Sequence, residues 1–202
     1  MAAGATYVPI ATVSPSGTGT VTFSSIPSTY TDLILQGNVG TVSTGNVWTI
    51  NVNGDSGSNY SATNLYGNGS AAGSGRVSNF TYWLSGTASG ADTNAGSSNF
   101  IAQFMNYSNT TTYKTMINRM NSTAGGAPST ETRVNLWRST SAINSISMVC
   151  SVNFTSGTLF TLYVIAFKLS DDTSEVKFHF LFFMSMQNQS THGCLHYSSR
   201  SE

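Results

Sequence analysis

Polar and apolar residues take turns along much of this chain. The pattern is plain in Gly19-Thr20-Val21-Thr22-Phe23, in Val47-Trp48-Thr49-Ile50-Asn51-Val52 and in Thr132-Arg133-Val134-Asn135-Leu136-Trp137. Successive side chains of an extended strand point to opposite faces, so a period of two commits a segment to one buried and one wet face. Val, Ile, Thr and aromatic residues fill these segments, and such residues pack well on a half-buried pleated surface. Residues 32–38, 76–84, 98–105, 113–121, 143–150 and 158–163 read as further strands. Turn residues separate them, among them Asn53-Gly54-Asp55, Gly67-Asn68-Gly69 and Gly125-Gly126-Ala127-Pro128. Asn-Gly after an alternating strand is a strong hairpin signal because both residues accept positive φ. No stretch carries an amphipathic helical stripe. Nine or ten short strands with turns between them predict an all-β chain, an antiparallel jelly-roll-like β-sandwich.

Composition narrows the function. Ser, Thr, Asn and Gly supply 96 of the 202 residues, while charged residues make up 8% against about 25% in an ordinary domain. The net charge is zero, so no basic face is expected for nucleic acid and no polybasic anchor for a membrane. An apolar share of 39% is enough for a core, unlike that of a disordered chain. The N-terminal MAAGATYVPIATV shows neither a basic region nor a long apolar run, so no secretory signal is expected there. Two cysteines, Cys150 and Cys194, make no disulfide framework.

One seam divides the text near Tyr163. Residues 5–163 read as the sandwich domain and residues 164–202 as a C-terminal extension of different composition. Residues 1–163 hold 18 of the 19 glycines and all 4 prolines, whereas the last 39 residues hold 7 of the 16 charges and all three histidines. The extension includes Phe178-His179-Phe180-Leu181-Phe182-Phe183-Met184, a poor choice for a free surface. It reads as a strand pair finishing the core, as an arm whose Phe178, Phe180, Phe182 and Phe183 contact a partner subunit, or as an extension of the reading frame. The abrupt loss of Gly and Pro favours the last two.

Catalytic groups are scarce. The histidines all lie in the extension, and the β region offers only Asp32, Asp55, Asp92 and Glu131 as acid–base carboxylates. Asp32 and Asp55 look like turn residues that bond nearby amides. Residues 53–59 gather oxygen ligands but carry one carboxylate, so a hairpin turn is expected rather than a calcium site. His192-Gly193-Cys194-Leu195-His196 is half of a zinc site at most. No enzyme activity, no metal and no cofactor is expected. Aromatics are the more interesting class. Trp48, Trp83, Trp137, Tyr60 and Tyr66 are the candidates for stacking on sugar rings or on a partner, with core packing as the competing role. Tyr82 and Trp83 are neighbours on a strand, so one should face the core and the other outward.

Five motifs in order carry a family resemblance: FSSIPSTYTDLIL (residues 23–35), NGDSGSNYS with LYGNGS (53–61 and 65–70), NYSNTTTYKT (106–115), NLWRSTSAINSISM (135–148) and NFTSGTLFTLY (153–163). Together they resemble small β-sandwich virion structural proteins of tailed bacteriophages, common among phages of aquatic bacteria and cyanobacteria. The resemblance covers residues 5–163. It implies a non-enzymatic protein of the virion exterior, assembled in the host cytoplasm, that decorates and stabilises the capsid. The alternative it implies is a tail or fibre module binding host-surface glycans. The partners implied are copies of the chain itself, a homotrimer fitting both settings, and other virion proteins. The family's domains close on F-T-L-Y-G-I, whereas Tyr163 is followed here by Val164 and Ile165, so the extension lies outside what the family explains. Deleting residues 168–202 is expected to leave the thermal melting transition unchanged. A large drop in Tm would place the aromatic run in the core.

Overall fold

The computed structural model describes residues 7–15, 17–44, 46–86, 93, 98–123 and 128–165. Among them the secondary structure is all β, without a helix. The first six strands are β1 (Tyr7–Val13), β2 (Thr20–Phe23), β3 (Asp32–Val39), β4 (Trp48–Val52), β5 (Tyr60–Gly67) and β6 (Ala72–Phe80). The rest are β7 (Trp83–Leu84), β8 (Ser98–Met105), β9 (Lys114–Ser122), β10 (Ser129–Trp137), β11 (Ile146–Cys150) and β12 (Leu159–Ile165). Eight strands form one sheet in the order β1-β12-β3-β8-β9-β10-β5-β6, and four form another in the order β2-β11-β4-β7. Neighbouring strands are antiparallel throughout. The chain changes sheet at every step from β1 to β5, and again on either side of β7 and of β11.

Period two decides which side chains are buried. Along β9, Lys114, Met116, Asn118, Met120 and Ser122 are buried and the residues between them are not. In β4 the same rule buries Trp48, Ile50 and Val52. The inward residues of both sheets meet in one core that includes Leu33, Leu35, Trp48, Ile50, Phe100, Phe104, Trp137, Met148, Phe160 and Leu162. Fully burying side chains of this size is worth about 1.5–3 kcal/mol each before conformational entropy is counted.

Two predicted boundaries move. The stretch 76–84 is two strands, because Asn79 adopts a positive φ of 59° and the chain leaves the large sheet for the small one before Trp83. Strand β12 extends past Tyr163 to Ile165, and Val164 is fully buried, so the sandwich runs beyond the compositional seam. Strands β1 and β5 are additions to the predicted set. Residues 166–202 lie outside the described residues.

The sheets differ in width, and part of the wide sheet's inner face is polar. Arg133 Nη2 meets Glu131 Oε1 at 2.7 Å with both side chains buried. Asn64 Nδ2 donates to the same Glu131 oxygen at 2.7 Å. Asn135 Nδ2 donates to Asn118 Oδ1, whose own amide donates to the Ser85 carbonyl, each at 2.7 Å. Removing one member of a buried ion pair leaves the other charge uncompensated. Arg133→Met is therefore expected to cost about 3–5 kcal/mol in denaturant unfolding. A double variant that also replaces Glu131 with Leu should recover part of that loss; equal stability of the single variant and the parent would show the pair to be unimportant.

Candidate functional site

Four of the five nominated aromatics are core residues, which corrects the sugar-stacking expectation for them. Trp48 is fully buried, with its ring 4.5 Å from Phe100 and 5.5 Å from Phe160, both edge-on. Trp83 lies 5.4 Å from Tyr60 and 6.0 Å from Phe104, and its Nε1 donates to the Leu136 carbonyl at 3.1 Å. Trp137 stacks on Tyr60 at 6.4 Å. Each large ring sits on the inward phase of its strand, where it fills the space between sheets. Tyr82 is only part-buried beside the buried Trp83, as their adjacency requires. Tyr66 is half-buried across from Gly73, where a Cβ would come within 2.5 Å of its hydroxyl. That fit packs the ring over the edge strand β6.

The carboxylates serve structure. Asp55 accepts from Trp137 Nε1 at 2.6 Å, from Asn59 Nδ2 at 2.9 Å and from the Gly57 amide at 2.7 Å. Residues 53–59 are thus a turn anchored to the core, entered through Asn53 and Gly54 at φ 54° and 65°. Burial pushes the Asp55 carboxyl up, but the bonds from Trp137, Asn59 and Gly57 outweigh it and hold the group below its ordinary 3.8. Tyr60 donates to the Asp55 carbonyl at 3.0 Å, and burial, with the Asp55 charge, pushes its hydroxyl up to about 12. Asp32 reaches further than a turn residue: it accepts from the Asn106 amide at 2.8 Å and from Gln103 Nε2 at 2.9 Å. Glu131 is held by Arg133 and Asn64. Among the described residues, no three His, Cys, Asp or Glu gather as metal ligands. Asp92, His192, Cys194, His196 and the aromatic run Phe178, Phe180, Phe182 and Phe183 lie outside the described residues.

What remains open is the outward face of the wide sheet. Register lines its residues into rows that cross the strands. One row runs Tyr163, Ile34, Gln103, Ile117, Val134 and Thr63, from β12 to β5. The next runs Thr161, Gln36, Ile101, Arg119, Thr132 and Leu65. A third sets Leu159 beside Asn38, Asn99, Asn121 and Thr130. A shallow depression of about 380 Å3 lies over these rows, lined by residues of β12, β3, β8, β9 and Thr130 of β10. Apolar residues stand exposed on the same face: Leu65 at 61%, Val134 at 53%, Ile117 at 44% and Leu159 at 41%. Tyr163 is half-buried in the depression, edge-on to Tyr7 at 6.4 Å.

Neither Tyr163 nor the asparagine row was among the sequence candidates. The signal was present, since Asn38, Asn99 and Asn121 occupy the polar phase of three alternating segments. Their alignment depends on pairing register, which one strand at a time does not reveal.

Fold and face together define an all-β protein of two packed antiparallel sheets, with one broad face open to solvent and carrying amides, apolar side chains and few charges. No family model matches the chain, and neither a curated protein nor a solved structure matches it.

The Asp55 contacts set an acid dependence. A carboxyl held low in the folded chain binds more protons when unfolded, so its contribution is present above about pH 3.8 and fades as pH falls through the lower folded value. Unfolding free energy measured from pH 6 to pH 2 should decline below pH 4. Trp137→Phe, which removes the indole donor, should make that decline shallower; an unchanged slope would show that Asp55 does not contribute to it.

Proposed function

We propose that this chain is a non-enzymatic structural protein of a tailed-phage virion, placed on the particle exterior, where it decorates and stabilises the capsid. Strand order carries the reading. Strands β1-β12-β3-β8 and β2-β11-β4-β7 interleave along the chain. We take this as a jelly roll, an architecture that serves in viral capsid and lectin domains. On that assignment β5, β6, β9 and β10 are additions that widen one sheet from four strands to eight. The widening enlarges the outward face, and Leu65, Ile117, Val134 and Leu159 stand on it as contact residues for a neighbouring subunit or shell protein. The use of Asp32, Asp55 and Glu131 in internal hydrogen bonds and an ion pair supports a non-enzymatic role.

A tail or fibre module that binds host glycans is the second reading, favoured by the depression in which Tyr163 sits beside polar side chains.

Electron cryo-microscopy of an intact particle, with copy number from a quantitative gel, separates the two. Hundreds of copies on the shell support decoration, a few at the tail tip support adhesion, and absence from the particle refutes both. The double variant Ile117→Lys with Val134→Glu should keep its Tm yet fail to join particles, because both side chains are exposed in the free chain and the two opposite charges face each other across β9 and β10. Normal incorporation of that variant would remove the outward face from the assembly contact.

A further inference from the structure

We propose that the depression on the wide sheet binds an acidic saccharide, with Arg119 pairing the sugar carboxylate and Tyr163 packing against a ring. The inference deepens the second reading above and rests on it for the ligand being a saccharide; the selection for charge is new. Three observations carry it.

First, the polar groups here are unengaged. Among the described residues, no hydrogen bond or ion pair holds the side chains of Gln36, Asn38, Asn99, Asn121 or Arg119. Elsewhere the chain uses its amides heavily, as with Asn51, Asn53, Asn59, Asn64, Asn109 and Asn135. A carboxamide offers both donors and an acceptor, which suits vicinal hydroxyls that also donate and accept.

Second, the charge is one-sided. Among the described residues, Arg119 is in the lining and no carboxylate is. The outward Asp32, at the start of β3, already accepts from Gln103 and Asn106. A guanidinium with free donors matches a carboxylate through two parallel hydrogen bonds, geometry that a neutral hydroxyl does not reproduce.

Third, the parts lie at a distance that fits a chain of sugars. Arg119 and Thr161 face the same row across Ile101 and Gln36, three strand spacings apart. At about 4.8 Å per spacing that is about 14 Å, longer than one ring. Tyr163 and Leu159 flank Thr161 on β12 and supply the apolar surface at that end.

Titration calorimetry with purified full-length chain tests the assignment. The probes are a galacturonic acid trimer and its methyl ester, which keeps the rings and removes the charge. The acid is expected to bind at least tenfold more tightly than the ester. Arg119→Gln should abolish that preference, and Asn121→Ala should weaken both probes several-fold. Tyr163→Leu should do the same, with the Asn121 variant standing in if loss of the ring lowers Tm. Equal binding of acid and ester would overturn the charge selection and leave the saccharide reading standing. Absence of binding by either probe would overturn both, while virion incorporation could still support decoration. Equal displacement of the trimer by a polyglutamate peptide would overturn the assignment in favour of an acidic protein surface.

Discussion

Two sheets of unequal width have to share one interior. The four-stranded sheet can cover only part of an eight-stranded one, so the large aromatic side chains are placed where the sheets meet. Phe154, Phe160, Trp48 and Phe100 make one chain of ring contacts, and Phe104, Trp83, Tyr60 and Trp137 make another. Polar residues on the inner side of β5, β9 and β10 then need partners in the protein, because a buried polar group left unpaired costs about 1–3 kcal/mol. Glu131, Arg133 and Asn64 supply them to one another, and the amides of Asn135 and Asn118 donate in a line that ends on the Ser85 backbone carbonyl. The tryptophans are therefore committed to the interior by geometry.

The same constraint explains what the sequence made legible. Strand β3 was readable because Leu33, Leu35 and Val39 hold its inward phase and Asp32, Gln36 and Asn38 most of the outward phase, and β8 because Phe100, Ala102 and Phe104 recur inward. Strand β5 was not. Its inward phase is Tyr60, Ala62, Asn64 and Tyr66, and Leu65 stands outward, so the apolar signal appears on both faces. Asn64 tolerates burial only because Glu131 lies on the neighbouring strand, a pairing that spans 67 residues of chain. Strand β1 was hidden by Pro9 and by its place at the sheet edge, where a register shift between Pro9 and Ala11 breaks the alternation. Tertiary context carried the missing information in both cases.

The site was less legible than the fold for a related reason. Trp48, Trp83 and Trp137 attract attention in a sequence poor in charge, yet a tryptophan in phase with Ile50 and Val52 belongs to the core. The face that remains open is built from ordinary residues, Asn, Gln, Thr and one Arg, which acquire meaning only when β3, β8, β9 and β12 align them. Low charge density lets these rows stand close without repulsion, and Thr, Asn and Gln keep the face wettable beside Leu65, Ile117 and Val134.

Assembly through a face is also the route that the edges favour. Strand β1 carries Pro9, which lacks a donor, and the register shift beside it interrupts the ladder. Strand β6, the other edge of the wide sheet, is long, but it bears Arg76, Asn79 at φ 59° and a register shift opposite Tyr60 and Ala62. Both edges are thus irregular or charged where a neighbouring strand would have to pair. The narrow sheet ends on the two-residue β7 on one side and the four-residue β2 on the other, too short to template much. Contacts that repeat in a closed, symmetric assembly are then left to side chains on faces and loops. The broad outward face of β12, β3, β8, β9, β10 and β5 offers the largest set of them, which is why one surface can be argued for both shell contact and ligand capture.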